Sequence, residues 1–438
     1  MTCMSFFKKL FSLFTASAGS PSTAAKPTPT AAPVVAPPPS VLMQWREALD
    51  AQGNIAAHLV QPCALTPNAT ASGAAIGEAW RTQDITALAG NRPVILSLTA
   101  KQWREADFSA QLGPQTYILL AGLTLQTSLK ELREWAAQIR AEQAGVAVDD
   151  ALLPVMPELL ELADLVRVDV SCQTLPVLER KLQTWRTAQP GLRMLANGVA
   201  DWAEQRLYHS LGFSYCAGPF IGRIDSRDSQ EKIGESRLVV MDMLNALRQD
   251  NALSEVTAIA KRDPAVVVKL LERVNSPIYG LGRQVGSLDE VVMILGREAL
   301  YRWLSIALFS LDGGRGRDQT LLFLALCRAS LLETLAPNDR QQAAELFLVG
   351  LLSVVDSLLG LPRAKVLEKM HLAAPVVAVL RDNAGPYAQH WALAQALEQG
   401  EIEQTVALAE ALQINMAKLS ENYHQAITLA QTVAFGQA

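Results

Sequence analysis

Asp149 and Asp150 stand side by side at the end of the apolar run Val146–Val148, and Asp169 closes a second such run, Leu165–Val168. Carboxylates grouped in this way can hold a divalent cation, and a held cation can activate water. A pair of aspartates at a strand end is equally well satisfied by backbone N–H groups, and that structural reading is preferred here because little else completes a metal site. Cys3, Cys63, Cys172, Cys216 and Cys327 are far apart, with no CxxC spacing and no Cys/His cluster of the zinc kind. His371, His390 and His424 are isolated and read as surface or packed side chains. The reactive residue types therefore favour a chain with no cofactor and no catalytic set.

The elements that must position these residues fall into two patterns. From residue 45 to 225 short apolar runs alternate with helical periodicity, which predicts an α/β domain with mostly parallel strands. The expected strands are His58–Gln61, Pro93–Leu98, Thr116–Leu123, Val146–Asp149, Leu165–Val170, Leu192–Ala196 and Phe213–Cys216. So many strand–helix repeats suggest a closed barrel of the TIM type. Ser128 and Glu131 form a capping box that opens a helix through Leu132, Trp135 and Ile139. From 232 to 430 the pattern is helix after helix, an all-α domain with Gly or Pro at the breaks.

The clearest punctuation lies between Asp263 and Leu295. Asp263 can cap a helix whose first residue is Pro264, with Val267, Leu270, Leu271 and Val274 on one face and Asn275-Ser276-Pro277 as its stop. Tyr279-Gly280-Leu281-Gly282 forms a connector. Ser287 and Glu290 then make a second capping box before Val291, Val292, Ile294 and Leu295, and Gly296 offers a break. Further on, Tyr301–Phe309 is strongly apolar and reads as a core helix, with Arg302 or Trp303 at its edge available to a binding surface. The arginines of residues 312–317, DGGRGR, follow no strand and read as loop.

The run NSPIYG followed by VGSLDEVVMILG resembles the core of the HDOD domain, a bacterial helical module related to metal-dependent HD hydrolases but lacking their metal ligands. In line with that resemblance, Phe347-Leu-Val-Gly350-Leu-Leu-Ser353-Val354 carries Ser353 and Val354 where a hydrolase has its His-Asp pair. Upstream, VAVDD at 146–150, LADLVRVD at 162–169, LANGVA at 195–200 and LGFSYCAG at 211–218 resemble the second half of an EAL domain. EAL domains are modified TIM barrels that hydrolyse cyclic di-GMP. The resemblance implies a degenerate EAL-type barrel followed by an HDOD helical domain, with Asp149, Asp150 and Asp169 as the remnant of the EAL metal site.

Departures from the EAL pattern are numerous. The segment from Gln61 to Ile76 has no acidic residue, Ser97 stands for an expected asparagine, and residues 117–122 are apolar or glycine where a glutamate is expected. Arg167 replaces a lysine, Asn197 a glutamate and Ala200 a second glutamate. Arginine is a poor proton acceptor at any workable pH. Glu78-Ala-Trp-Arg81 looks like the name-giving motif but falls in a helix pattern and is read as coincidence. The resemblance thus implies a non-catalytic signalling protein with protein partners of unknown identity and the option of a homodimer, the alternative being a cyclic di-GMP receptor or a weakly active phosphodiesterase.

Composition agrees with a globular chain: half of its 438 residues are hydrophobic and its net charge is −5, which gives no field for nucleic acid. Residues 1–44 differ in kind. Phe6, Phe7, Leu10, Phe11 and Phe14 around Lys8 and Lys9 can form a short amphipathic helix, too short to span a bilayer, and a Pro/Ala-rich tether follows. Scattered cysteines fit free thiols in a reducing cytosol. The expectation is a cytoplasmic protein, with residues 5–14 a candidate peripheral contact at the inner membrane.

Overall fold

In the computed structural model residues 41–66, 69–108, 111–124, 127–227, 234–275, 285–309 and 316–435 are described. Eight strands close a barrel in sequence order: β1 Val41–Leu49, β2 Ile55–Ala64, β3 Val94–Thr99, β4 Thr116–Ala121, β5 Gly145–Asp149, β6 Leu165–Asp169, β7 Arg193–Asn197 and β8 Tyr215–Ala217. Strands β2 to β8 run parallel, whereas β1 is antiparallel to both neighbours. Seven strands fall on the expected segments. Strand β1 is the addition, and it begins inside the stretch that the sequence assigned to the N-terminal tether.

The period of two along each strand sorts the barrel. Ala57, Leu59, Ile95, Leu119, Leu165 and Leu195 fill the interior. Alternate residues such as Val94, Leu96, Ile118, Val146 and Val166 face outward against helices. Those helices are α1 Gly73–Thr82, α2 Ile85–Ala89, α3 Ala100–Glu105, α4 Leu129–Ala141, α5 Leu159–Leu162, α6 Leu175–Ala188 and α7 Trp202–Ser210. At the start of α4 the Ser128 side chain accepts from Glu131 N and Glu131 reaches back to Ser128 N, the reciprocal cap expected there.

The second half is all helix: α8 Glu235–Arg248, α9 Leu253–Ala260, α10 Pro264–Val274, α11 Leu288–Ala307, α12 Gly316–Thr334 and α13 Arg340–Leu352. After them come α14 Val355–Leu359, α15 Arg363–Glu368, α16 Ala374–Asp382, α17 Ala388–Gln399, α18 Ile402–Ala411 and α19 Met416–Phe435. Asp263 accepts from Ala265 N at 2.8 Å, so Pro264 does open α10. Asn275 ends that helix by trading two hydrogen bonds with the backbone of Val285, at 2.7 and 2.8 Å. The connector Tyr279–Gly282 lies outside the described residues. Gly296 breaks α11 as expected, at φ 71° and ψ 169°.

Helices α12 and α13 cross at Gly350. A Cβ there would sit 2.3 Å from Ala329 N and 2.4 Å from Arg328 C, so only hydrogen fits. Gly350→Ala must push the two helices apart, and we expect it to destabilise the chain by about 2 kcal/mol, read as a lower urea midpoint at unchanged slope. A loss below about 0.5 kcal/mol would show that the crossing is looser than it looks.

One continuous apolar cluster runs through both halves. The outer face of β1 is covered by α17 and α19 of the helical half as well as by α1 of the barrel. Ser420 Oγ donates to Val41 O at 3.2 Å, and the Tyr423 hydroxyl donates to Trp45 O at 3.4 Å. No helix of the described residues is long and apolar enough to cross a membrane.

Candidate functional site

The parallel strands bring their C-terminal ends to one mouth, where a barrel of this kind carries its chemistry. Asp149 ends β5 and Asp169 ends β6, and Asp150 opens a short 3₁₀ turn. Asp149 and Arg167 are register partners, so both face inward at the same level. Arg167 donates Nε to Asp149 Oδ1 at 2.5 Å and Nη2 to Oδ2 at 2.8 Å. This bidentate pair engages both oxygens that a cation would need.

Asp150 is 3% exposed. Its carboxylate accepts from Lys181 Nζ at 2.8 Å, Gln173 Nε2 at 2.8 Å and Asp169 N at 3.2 Å. Asp169 itself accepts from Ser171 N at 3.0 Å and Ser171 Oγ at 2.6 Å. The three aspartates lie close together at the strand ends, and side-chain cations hold two of them where backbone N–H groups were expected to serve. Lys181 and Gln173 sit on α6 and in the loop before it, and no motif in the sequence announced them.

Arg46 was also missed. It lies on β1 opposite Leu59 of the barrel interior, and its guanidinium forms no hydrogen bond or ion pair among the described residues. Burial, then the like charge of Arg167, lowers its pKa. Two guanidinium groups thus face the space that divalent cations would have to enter. Among the described residues no group of three or more His, Cys, Asp or Glu is placed to hold a metal ion. The donor set does not fit a catalytic metal pair.

Because Asp150 is buried and its partners come from three places, its first role is structural. We expect Asp150→Ala to leave Lys181 with only the Gln173 amide oxygen as partner and to cost about 2 kcal/mol of stability in urea denaturation. An unchanged midpoint would contradict the buried ion pair.

The other candidate positions lie in the helical half. Ser353 is buried, donates to Gly350 O at 2.7 Å and accepts from Arg328 Nη1 at 3.0 Å. Val354 is fully buried, and Asp356 is held by Arg363 at 3.0 Å. His371 is exposed, whereas burial lowers the pKa of His390 and His424. None of these groups converges on a ligand position. Glu78 is exposed on α1, away from the strand ends. Arg317 is buried, stacks on Trp202 at 5.0 Å and donates to Ser357 O at 2.7 Å, which is a packing role. Trp303 is buried in α11, whereas Arg302 reaches a cleft described below. Residues 5–14, Cys3 and residues 312–315 lie outside the described residues. Cys63, Cys172, Cys216 and Cys327 are free thiols.

The HDOD domain family matches residues 237–366. An uncharacterised protein of Bacillus subtilis, YuxH, is 26% identical over 266 residues, covering 58% of this chain and 64% of that protein. The cyclic di-GMP phosphodiesterase CdgJ of Vibrio cholerae is 23% identical over 277 residues, covering 62% of this chain and 64% of its own length. The chain thus spans just under two thirds of the curated relatives it matches. Among solved structures, an EAL domain protein of Listeria monocytogenes gives a TM-score of 0.30 at 16% identity, covering 42% of this chain and 88% of that one. The FimX EAL domain of Xanthomonas citri, solved with c-diGMP, gives 0.30 at 15% identity over 42% and 87%. The barrel assignment rests on its own strand pairing.

Proposed function

From the premise that this chain joins an EAL-like barrel to an HDOD domain, we propose that it is a non-catalytic regulatory protein of cyclic di-GMP-related signalling that acts by binding other proteins. The observation that carries this reading is the pairing of Asp149 with Arg167 and of Asp150 with Lys181, because each aspartate is already neutralised by a fixed cation of the chain. A divalent ion would have to displace an arginine and a lysine and then sit beside Arg46. Without metal, no water at the mouth is activated, and neither guanidinium serves as a base.

The test is direct. Purified full-length chain incubated with cyclic di-GMP and manganese or magnesium should release no more linear product than a protein-free control. Turnover that disappears in Asp149→Asn would overturn the proposal. Affinity capture from the native host should return a reproducible protein partner.

A second reading, binding of cyclic di-GMP without cleavage, is favoured by the unpaired guanidinium of Arg46 beside Arg167. A phosphate anion could sit between the two guanidinium groups and relieve their repulsion. Calorimetry with ligand at roughly millimolar concentration distinguishes the two readings, since a receptor should bind saturably and lose that binding in Arg46→Gln. The N-terminal residues 5–14 are proposed to bring this otherwise cytoplasmic protein to the inner membrane surface.

A further inference from the structure

A cleft of about 410 Å³ opens on the helical half, remote in the fold from the barrel mouth, between the end of α8, the second part of α11 and the first part of α13. Its size suits a small molecule. Gly296 creates it. The positive φ there breaks α11 and turns Arg297, Tyr301 and Arg302, spaced by a helical turn, into the gap.

The lining has a distinct division of labour. Leu247, Phe347 and Leu348 give a buried apolar floor. Arg302 lies over the Phe347 ring at 3.8 Å and is chelated by Glu333, so its planar group is fixed as a platform with about a fifth of the side chain, 21%, still exposed. Both acidic groups at the cleft are engaged. Glu345 accepts from the Tyr387 hydroxyl at 2.7 Å and Gln341 Nε2 at 3.1 Å, and Glu298 pairs with Arg340 at 2.8 Å. Arg297 donates to Leu247 O at 3.0 Å and Asn251 O at 2.6 Å, which covers the helix-end carbonyls that would repel an anion.

Two polar groups are left over. The Tyr301 hydroxyl and the exposed Arg248 guanidinium make no hydrogen bond or ion pair among the described residues. Arg248 and Tyr301 both line the cleft, and the charge of Arg248 reaches the phenol. A phenol donor next to an unpaired guanidinium, at one end of an apolar floor with a planar platform, is complementary to one kind of molecule. We infer that this cleft binds a small aromatic anion, with its charged group between Arg248 and Tyr301 and its flat body on Phe347, Leu348 and Arg302.

Phenyl phosphate is a suitable probe, titrated into the full-length chain by calorimetry. Saturable binding near about 1 mM is expected for a ligand of this size. Arg248→Gln should weaken it at least tenfold, as loss of a charged hydrogen bond does, and Tyr301→Phe about threefold. Inorganic phosphate and benzyl alcohol, each carrying half of the ligand, should both bind at least tenfold more weakly. Arg248 is exposed, so its variant should retain the wild-type melting curve and serve as a folded reference. The inference fails if phenyl phosphate does not saturate by about 10 mM, or if binding is unchanged in Arg248→Gln. It also fails if binding is lost in Arg46→Gln but kept in Arg248→Gln, which would place the anion at the barrel mouth.

Discussion

The barrel expressed alone, as residues 41–227, should fail to form a stable monomer. Strand β1 completes the ring through a single register pair with β8, Leu49 opposite Cys216, so backbone pairing alone holds that seam weakly. Its outward residues Val41, Met43 and Trp45 are 1%, 2% and 2% exposed in the whole chain. The helical half supplies much of that cover, with α17 and α19 packed on β1 beside α1. Besides the bonds from Ser420 and Tyr423, Gln431 reaches the buried His58 at 3.3 Å and Phe435 lies under Arg92 at 4.0 Å. Gln44 donates to Glu398 O at 3.0 Å, Thr320 to Gly53 O at 2.8 Å and Ser357 to Gly222 O at 2.5 Å.

Uncovering three large apolar side chains costs about 5 kcal/mol, which is comparable to the whole stability of many domains. We therefore expect the fragment to be largely insoluble, or to melt without cooperativity and bind a hydrophobic dye. Cooperative melting within about 5 °C of the full chain would refute this dependence.

Arg328→Met should be the most damaging single substitution among those considered. Arg328 chelates Glu398 at 2.8 and 2.9 Å, donates to Ser353 and lies 5.5 Å from the centre of the Trp391 ring. Glu47 of β1 is close to the same group. Burial, then the charge of Glu398, raises the Glu47 pKa to about 7, while Arg328 and Arg46 oppose that rise. Without the guanidinium two carboxylates face each other at the seam between β1 and the helices, and the expected loss is about 3–5 kcal/mol. It should be larger at pH 8 than at pH 5.5, because a proton on Glu47 relieves the repulsion. Urea denaturation at both values tests this; a loss under about 1 kcal/mol at pH 8 would sink it.

The same hairpin predicts the pH profile of the unaltered chain. Glu47 has a folded pKa above its ordinary 4.5, so its contribution to stability is complete below pH 4.5 and disappears as pH rises through about 7. His58, its register partner, is pushed by burial from 6.5 down to about 3, so its contribution is complete above pH 6.5 and is lost as pH falls toward 3. Between pH 4.5 and 6.5 the two oppose each other, and stability at this site should be nearly flat there. Outside that window it should fall on both sides.

Much of this architecture was legible from local signals. The cap of Asp263 on α10, the caps of Ser128 and Ser287 and the break at Gly296 involve residues within a few positions of each other, so the sequence carries them in full. Seven strands were visible because apolar runs between helical patterns need no knowledge of their neighbours. Strand β1 was not, because it is buried on both faces and so shows no alternation, and its outer cover lies some 380 positions away, as in the 378-residue span from Trp45 to Tyr423.

The candidate site divides along the same line. That Asp149, Asp150 and Asp169 stand at strand ends, and that acidic partners are missing around them, followed from the sequence alone. Which groups neutralise them did not. Arg167 and Lys181 meet the aspartates across 18 and 31 residues, and the charge of Arg167 acts on Arg46 of β1. By itself the sequence determined two scaffolds with their punctuation, since those depend on neighbours in the chain. The tertiary structure decided that one half seals the other, that cations of the chain hold Asp149 and Asp150 and that Arg302 borders a cleft, because each depends on which distant side chains closure of the fold brings within a few ångströms.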